Sequence, residues 1–395
     1  MISVAEAHDQ IARCAAELPP SRLRLSDLLG LRLAENITSR VDSPPFDKSI
    51  VDGYAIATSD ASESLREIEL VTAGGVPSQP LAPGKTIRVM TGAPIPVGAD
   101  AVVKWEDCDV HADGSIRNPA RVVRPGACVL RRGTSFSVGQ VVLNAGKRIG
   151  PLDIALLAEI GQAEAAAHPQ PRVGVLPTGD ELVAAHEPLA PGQIRNSNGP
   201  MLLAALTAAG AAAVDLGVGR DDLADLRKKI ARGLECDVLL VSGGVSAGVK
   251  DLVPGVLTEL GVIEQFHQVR VKPGKPLWFG VRDEDARRTL VFGLPGNPVS
   301  TLVSFQLFVL PALRALAGQS YSPPATEQAT LTKPFEHRGG RPTYFPCHRD
   351  GKTVEPLDWK GSADLATLTR ANCLAAMPPG DYELKRGATV EVISL

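Results

Sequence analysis

At 395 residues the chain is longer than one hydrophobic core usually serves, so more than one domain is expected. An apolar fraction of 44% supports real cores, while a net charge of −3 excludes the global basic field that nucleic-acid binding favours and leaves any anion site local. Six cysteines, Cys14, Cys108, Cys128, Cys236, Cys347 and Cys373, are too scattered for a disulfide scaffold or a metal-ligand spacing, and read as reduced.

The N-terminus lacks the basic start and continuous apolar stretch of a signal peptide, so a cytoplasmic home is expected. Val4, Ala7, Ile11 and Cys14 share one helical stripe, and Leu25, Leu28, Leu29 and Leu33 a second, which predicts two short helices. Over 46–145 the pattern changes to short β-type runs such as Thr86–Met90, Ala101–Trp105 and Gln140–Leu143, separated by Gly and Pro turns. A helix is predicted from Pro151, a good first-turn residue, through Ile154, Leu157 and Ala158 to Gly161.

From Arg172 to Gly318 strands and helices alternate. Arg172–Leu176, Val214–Gly217 and Val238–Val241 read as strands; Pro200–Ala209 and the segment from Asp222 read as helices. Such repetition predicts a parallel sheet with helices on both faces, and directs attention to the loops after Leu176 and Val241, beyond the strands' carboxyl ends. The apolar segment Met201–Val214 is too short for a bilayer and contains Gly210, so no transmembrane helix is expected. Tyr321–Ala325 reads as a linker, and short β runs such as Thr389–Ile393 close the chain.

The fold expected is α/β plus β in a multidomain, elongated subunit. A helical linking domain would comprise 1–45 with 146–170, and a small β-rich domain 46–145. An α/β substrate-binding domain with a parallel sheet would cover 171–322, and a second small β domain 323–395.

Three groups of residues can carry chemistry. In Leu294-Pro295-Gly296-Asn297-Pro298-Val299-Ser300, Asn297 suits the N-cap and Pro298 the first turn of an apolar helix, whose unpaired N–H groups and Ser300 hydroxyl suit an oxyanion. In Val271-Lys272-Pro273-Gly274-Lys275-Pro276 a stiff turn holds two lysines three residues apart, suited to a dianion or phosphate; taken alone it reads as solvated charge. Asp180, Glu181, Asp221 and Asp251 follow strands at one sheet edge, where carboxylates suit Mg²⁺ shared with substrate phosphates. Asp221 also has a structural reading, as a helix N-cap.

These segments, with Pro45-Phe46-Asp47-Lys48-Ser49, Asp52-Gly53-Tyr54-Ala55, Met90-Thr91-Gly92-Ala93, Pro177-Thr178-Gly179-Asp180-Glu181-Leu182 and Ser242-Gly243-Gly244-Val245-Ser246, resemble in order and spacing the MoeA family. That family, the molybdopterin molybdenumtransferases, includes the E domain of gephyrin. The resemblance implies an elongated homodimer of four-domain subunits whose cleft lies between the α/β domain of one subunit and the small domains of the other. It implies a Mg²⁺-assisted reaction in which molybdate is inserted into adenylylated molybdopterin and AMP is released. Carried over, Asp221 and Asp251 would hold Mg²⁺, and Lys272, Lys275 and Ser300 molybdate. Ser242, Gly243, Gly244, Pro295, Gly296 and Pro298 would line the pterin and nucleotide pocket, and Asp52, Thr91 and Glu181 would line the cleft. Ser362 in Lys360-Gly361-Ser362-Ala363 matches a family serine. Partners implied are the molybdopterin adenylyltransferase and other cofactor-pathway proteins, with no nucleic acid and no membrane.

Two departures stand out. Gly133-Thr134-Ser135 replaces a Gly-Glu-Asp triplet, and Tyr344-Phe345-Pro346 lacks the arginine of an aromatic-x-Arg pattern. Arg341, His348 and Arg349 are the candidates to replace that arginine. Two rival readings are a molybdopterin adenylyltransferase, whose proteins normally consist of the α/β domain alone, and a gephyrin-like scaffold, whose extra enzyme domain and long linker this chain lacks.

Overall fold

The computed structural model describes residues 1–245, 252–285 and 287–395. The chain forms two compact units, one of Met1–Leu23, Gly30–Ala34 and Ala166–Leu395, the other of Arg24–Leu29 and Glu35–Ala165.

At the centre of the first unit is a six-stranded sheet in the order Ala212–Asp215, Arg172–Pro177, Val238–Ser242, Arg287–Leu294, Trp278–Glu284, Ile263–His267. The continuous apolar run at Val238 forms a strand because both sheet faces are covered. Val238 and Leu240 pack with Val175, Leu202, Phe292 and Phe308; Leu239 and Val241 pack with Leu176, Leu226, Ile230, Val256 and Trp278. The first four strands are parallel, but Trp278–Glu284 runs antiparallel to both its neighbours, so the sheet is mixed rather than parallel throughout. Strand direction leaves no trace in hydrophobic period, and the tight Glu284–Arg287 connection is a hairpin rather than a crossover.

Helices Asn198–Ala208 and Leu223–Gly233 connect parallel strands, the latter capped by Asp222, whose carboxylate accepts from Asp225 N. The N-terminal helix, Val4–Cys14, starts with a reciprocal Ser3–Glu6 capping box and buries Ala7 and Ile11 in the sheet's core. The second expected helix does not form. A single 3₁₀ turn, Leu25–Asp27, follows the strand Ser21–Arg24, and Arg32–Leu33 pairs as a strand with Ala167–His168. The leucine stripe is interrupted at Gly30, which has φ +82°, and Leu29 is 57% exposed.

A longer apolar helical stretch than Met201–Val214 is present at Pro298–Leu316, and it passes through a π-helical turn at Phe305–Val309. By length and composition it could cross a membrane, yet Val299, Val303, Phe305, Phe308 and Leu313 are spent in the core. After the linker, Glu327–Leu331, Thr353–Pro356, Thr343–Asp350, Cys373–Met377 and Thr389–Ser394 close a small barrel around Leu331, Cys347, Val354, Ala375 and Val392.

The second unit holds a five-stranded sheet ordered Ala101–Lys104, Gly53–Ile56, Lys85–Val89, Ser64–Val71, Ile116–Arg117, with Ala55, Ile87, Val89 and Val102 on one buried face. The helix at Pro151 is present over Pro151–Glu159, its start closed by Gly150 N donating to Asp153 Oδ2 at 2.9 Å.

Candidate active site

The chain leaves Arg172–Pro177 to one side of the sheet and returns on the other, so Pro177 and Ser242 end side by side at a topological switch point. A cleft of about 1220 Å³ opens there within the first unit. Its floor is built from backbone. Thr178 N donates to Ser242 O at 2.9 Å, and Gly243 N to Leu294 O at 3.1 Å. Asn198 Nδ2 donates to Ser242 Oγ at 2.8 Å and to Gly296 O at 2.7 Å, pinning the loops after two strands together. Gly243 and Gly244 have φ +93° and +65°, and a Cβ on either would lie 2.7 Å from Thr178 O or 2.9 Å from Thr178 Oγ1. The loop after Val241 can therefore press onto Thr178 only as glycine.

One side of the cleft is acidic. Asp222 performs the N-cap role once open to Asp221, leaving the exposed Asp221 side chain to line the cleft with Glu181. The loop carrying it is fixed by Arg220, whose Nη1 donates to Asp180 O and Leu182 O, both at 3.1 Å. Asp221 N donates to Asp180 Oδ1 at 3.1 Å. Asp251 lies outside the described residues, and among those described no three His, Cys, Asp or Glu side chains converge as a metal cluster. Asp221 is a single carboxylate, a donor set that fits a hydrated Mg²⁺ shared with phosphate oxygens rather than an all-protein cage.

The opposite side is cationic. Lys272 and Lys275 are exposed on their turn, and Gly274, at φ +112°, lets the turn approach Ser304 Oγ, which a Cβ would meet at 2.9 Å. The lysine turn is stitched to the barrel. Lys272 N donates to Pro342 O and Tyr344 N to Lys272 O, both at 2.8 Å, making a parallel bridge between Lys272 and Thr343.

The expected free N–H groups at the helix start are partly absent. Pro298 has none, Val299 N donates to Ser362 O at 3.0 Å, and Thr301 N to Asn297 O at 2.9 Å. Asn297 does not cap with its side chain; its Nδ2 donates to Ser362 Oγ at 3.0 Å. Ser300 lines the cleft but is buried. Charge on this side comes chiefly from side chains rather than from the helix end.

The cleft thus brings together Glu181, Asp221, Ser242, Gly243, Gly244, Lys272, Lys275, Pro295, Gly296, Pro298, Ser300 and Ser362, although they are spread over the sequence. Asp52 and Thr91 belong to the second unit, where Asp52 Oδ1 accepts from Thr91 N at 2.7 Å and Thr91 Oγ1 at 2.8 Å. Those bonds, the backbone one first, hold the Asp52 carboxyl below the usual carboxylate range. Ser135 is an exposed residue of the same unit, and Ser135 N donates to Ser43 O at 2.8 Å.

Of the three candidates for the missing arginine, only Arg341 lines the cleft. Arg349 is paired with Glu327 at 2.8 Å, and His348 Nδ1 lies 3.1 Å from Arg370 O. Sequence reasoning missed Asn198 and the aromatic wall of Phe345 and Trp359, whose rings meet edge-on at 5.3 Å. Asn198 had a signal, the polar run Arg195-Asn196-Ser197-Asn198 leading into an apolar helix, and Phe345 lies inside the Tyr344-Phe345-Pro346 departure noted above; Trp359 had none.

Three family descriptions match consecutive parts of the chain. They are the MoeA N-terminal region (domain I and II) over residues 2–161, a probable molybdopterin binding domain over 174–315, and the MoeA C-terminal region (domain IV) over 328–395. A molybdopterin molybdenumtransferase of Haemophilus influenzae is 34% identical over 382 residues, covering 94% of this chain and 92% of its own. That of Bacillus subtilis is 32% identical over 406 residues, covering 99% and 94%. Two solved structures of the molybdopterin biosynthesis moeA protein of Pyrococcus horikoshii superpose over 100% of this chain. One has 32% identity, a TM-score of 0.84 and 99% of its own length covered; the other has 29%, 0.78 and 100%. With relatives of one kind matched from end to end, the chain belongs to the MoeA family and is a transferase of molybdenum cofactor biosynthesis.

Proposed function

We propose that the protein inserts molybdate into adenylylated molybdopterin, with Mg²⁺-assisted release of AMP, as a cytoplasmic homodimer of four-domain subunits working beside the molybdopterin adenylyltransferase. The observation that supports this most directly is one cleft with an acidic side at Glu181 and Asp221 and a cationic side at Lys272 and Lys275, separated by a backbone-built floor. A substrate with a diphosphate at one end and an oxyanion acceptor at the other needs that division. Pterin and nucleotide would lie along Ser242, Gly243, Gly244, Pro295, Gly296 and Pro298, and molybdate at Lys272, Lys275, Ser300 and Ser362. Asp221 would hold Mg²⁺, which supplies charge to offset the leaving phosphate when bound. Lysines carried on a turn whose backbone is fixed would draw the molybdate dianion to the dithiolene sulfurs and hold it there. Asp52, Thr91 and Glu181 enter the reading as positions matching the family's cleft residues.

The test incubates purified protein with adenylylated molybdopterin, Mg²⁺ and molybdate and measures AMP. Release that requires both molybdate and Mg²⁺ is expected; release indifferent to molybdate sinks the proposal. Light scattering is expected to return twice the 41.5 kDa chain mass, and a monomer at micromolar protein counts against the dimer.

A further inference from the structure

We propose that Trp359 and Phe345 form a stacking corner for the pterin ring of the substrate, which makes the barrel, and not only the loops of the sheet, a determinant of substrate choice. This rests on the functional reading above. Phe345 lies on the strand Thr343–Asp350 and Trp359 in the loop after Thr353–Pro356; both line the cleft, and neither is fully buried. Their rings meet edge-on at 5.3 Å, and Phe345 meets the buried Phe335 edge-on as well, at 4.8 Å. The indole is fixed by its own hydrogen bond, Trp359 Nε1 donating to Gly361 O. The loop beneath it is held by Trp359 N donating to Leu357 O at 2.8 Å and Leu357 N to Pro346 O at 3.2 Å. A tryptophan whose N–H is already satisfied offers a ligand its ring rather than a donor.

Position decides which ring the corner takes. Gly361 and Ser362 follow Trp359 closely in the chain, and Ser362 is bonded to the helix start, its O accepting from Val299 N and its Oγ from Asn297 Nδ2, both at 3.0 Å. The aromatic corner is thereby tied to the oxyanion end of the cleft. In the proposed substrate the pterin is joined directly to the dithiolene that receives the metal, whereas adenine lies beyond the diphosphate, toward Glu181 and Asp221. A pterin is flat, electron-poor and nearly uncharged, so the charged sides of the cleft give its faces no partner, while an aromatic side chain does. The corner also accounts for a departure seen in the sequence. Within Tyr344-Phe345-Pro346, Pro346 is buried and Phe345 is the residue that lines the cleft, so this stretch supplies an aromatic surface rather than a charge.

The experiment is equilibrium dialysis of the full-length protein with hydroxymethylpterin and, separately, with AMP, on wild type, Trp359→Phe, Trp359→Leu and Phe345→Leu, with thermal melting of each. The expected result is a pterin Kd raised roughly tenfold or more in Trp359→Leu, as follows from removing one stacked aromatic. Phe345→Leu should raise it by less, Trp359→Phe should stay near wild type, and the AMP Kd should be unchanged throughout. Bound pterin should also quench wild-type tryptophan emission and lose that effect in Trp359→Phe while still binding, since Trp278 is buried in the core of the sheet and Trp105 belongs to the second unit. Variants that weaken AMP and spare the pterin give the corner to adenine and overturn the inference while the function stands. A lowered melting temperature with unchanged affinity for both ligands makes the corner barrel packing and overturns it likewise. Wild-type protein that does not retain the pterin overturns the inference; if it also releases no AMP from adenylylated molybdopterin, the functional reading falls with it.

Discussion

The floor of the cleft and its cationic side solve opposite problems. At the floor, Thr178, Gly243 and Gly244 press backbone to backbone, the Asn198 amide ties the adjoining loops together, and almost no added atom is tolerated at the glycines. On the cationic side, Lys272 and Lys275 are exposed and without ion-pair partners among the described residues, and single side chains there can be changed without disturbing what lies beneath. The contrast teaches that shape and charge are supplied by different parts of the chain. Substitutions at the floor should act through folding, and those at the cationic side through ligand concentration.

The severest way to break this division is Gly244→Ala. A Cβ there would lie 2.9 Å from Thr178 Oγ1 and 3.0 Å from Val253 Cγ2, at φ +65°. A destabilisation of about 2–4 kcal/mol, with turnover largely lost, is expected from overpacking plus left-handed strain. Chemical denaturation measures it, and a variant as stable and active as wild type shows that the floor is not closely packed.

The interior's intolerance of charge gives the next effect. His8, buried against Phe308 with Nδ1 2.8 Å from Tyr321 Oη, has its pKa lowered to about 4, chiefly by burial and against a small opposing effect of Asp9. The unfolded chain, with an imidazole near 6.5, binds more protons between those values, so stability falls as pH drops from about 6.5 to about 4 and then levels off. The loss from this residue is on the order of 3 kcal/mol. Unfolding free energy across that range should be flatter for His8→Gln; equal slopes in the two proteins remove His8 from the account.

On the cationic side, Lys275→Ala should raise the molybdate needed for half-maximal turnover roughly ten- to a hundredfold, or about 1.5–3 kcal/mol, with an unchanged melting temperature. Lys272→Ala with Lys275→Ala should exceed either alone. Wild-type molybdate dependence in all three would return the lysines to solvated surface charge.

The smallest effect expected is at the acidic side, where Asp221→Asn keeps shape and removes one ligand charge. The Mg²⁺ required for half-maximal AMP release should rise by roughly three- to tenfold with stability intact. If Asp222→Asn produces that shift instead, the helix cap and the metal ligand have been interchanged.

Much of the sheet could be read in advance because Val238–Val241 and Arg172–Leu176 are apolar on both faces and bounded by glycines and polar turns, a pattern few alternatives share. The second N-terminal helix could not, since Leu25, Leu28, Leu29 and Leu33 satisfy a helical period over too few residues to beat strand pairing at Arg32–Leu33. The cleft was legible where loops follow strands. It was illegible where distant residues meet: nothing local distinguishes Arg341 from Arg349, and only the fold gives Glu327 to one and Val271 O to the other. Asp221 and Asp222 were likewise indistinguishable until one was seen to cap.

The bridge between Lys272 and Thr343 bears on how such a chain can be recombined. A barrel transplanted from a relative would arrive with its own version of the Arg341–Tyr344 segment and meet a lysine turn shaped by another partner. Grafts cut at the linker, at Tyr321–Ala325, would therefore inherit a mismatched cleft wall even with both halves correctly folded, whereas exchanging 271–276 together with the barrel keeps the pair in step. The true seam of heredity in this part of the molecule runs through a hydrogen-bonded contact rather than through the linker at Tyr321–Ala325.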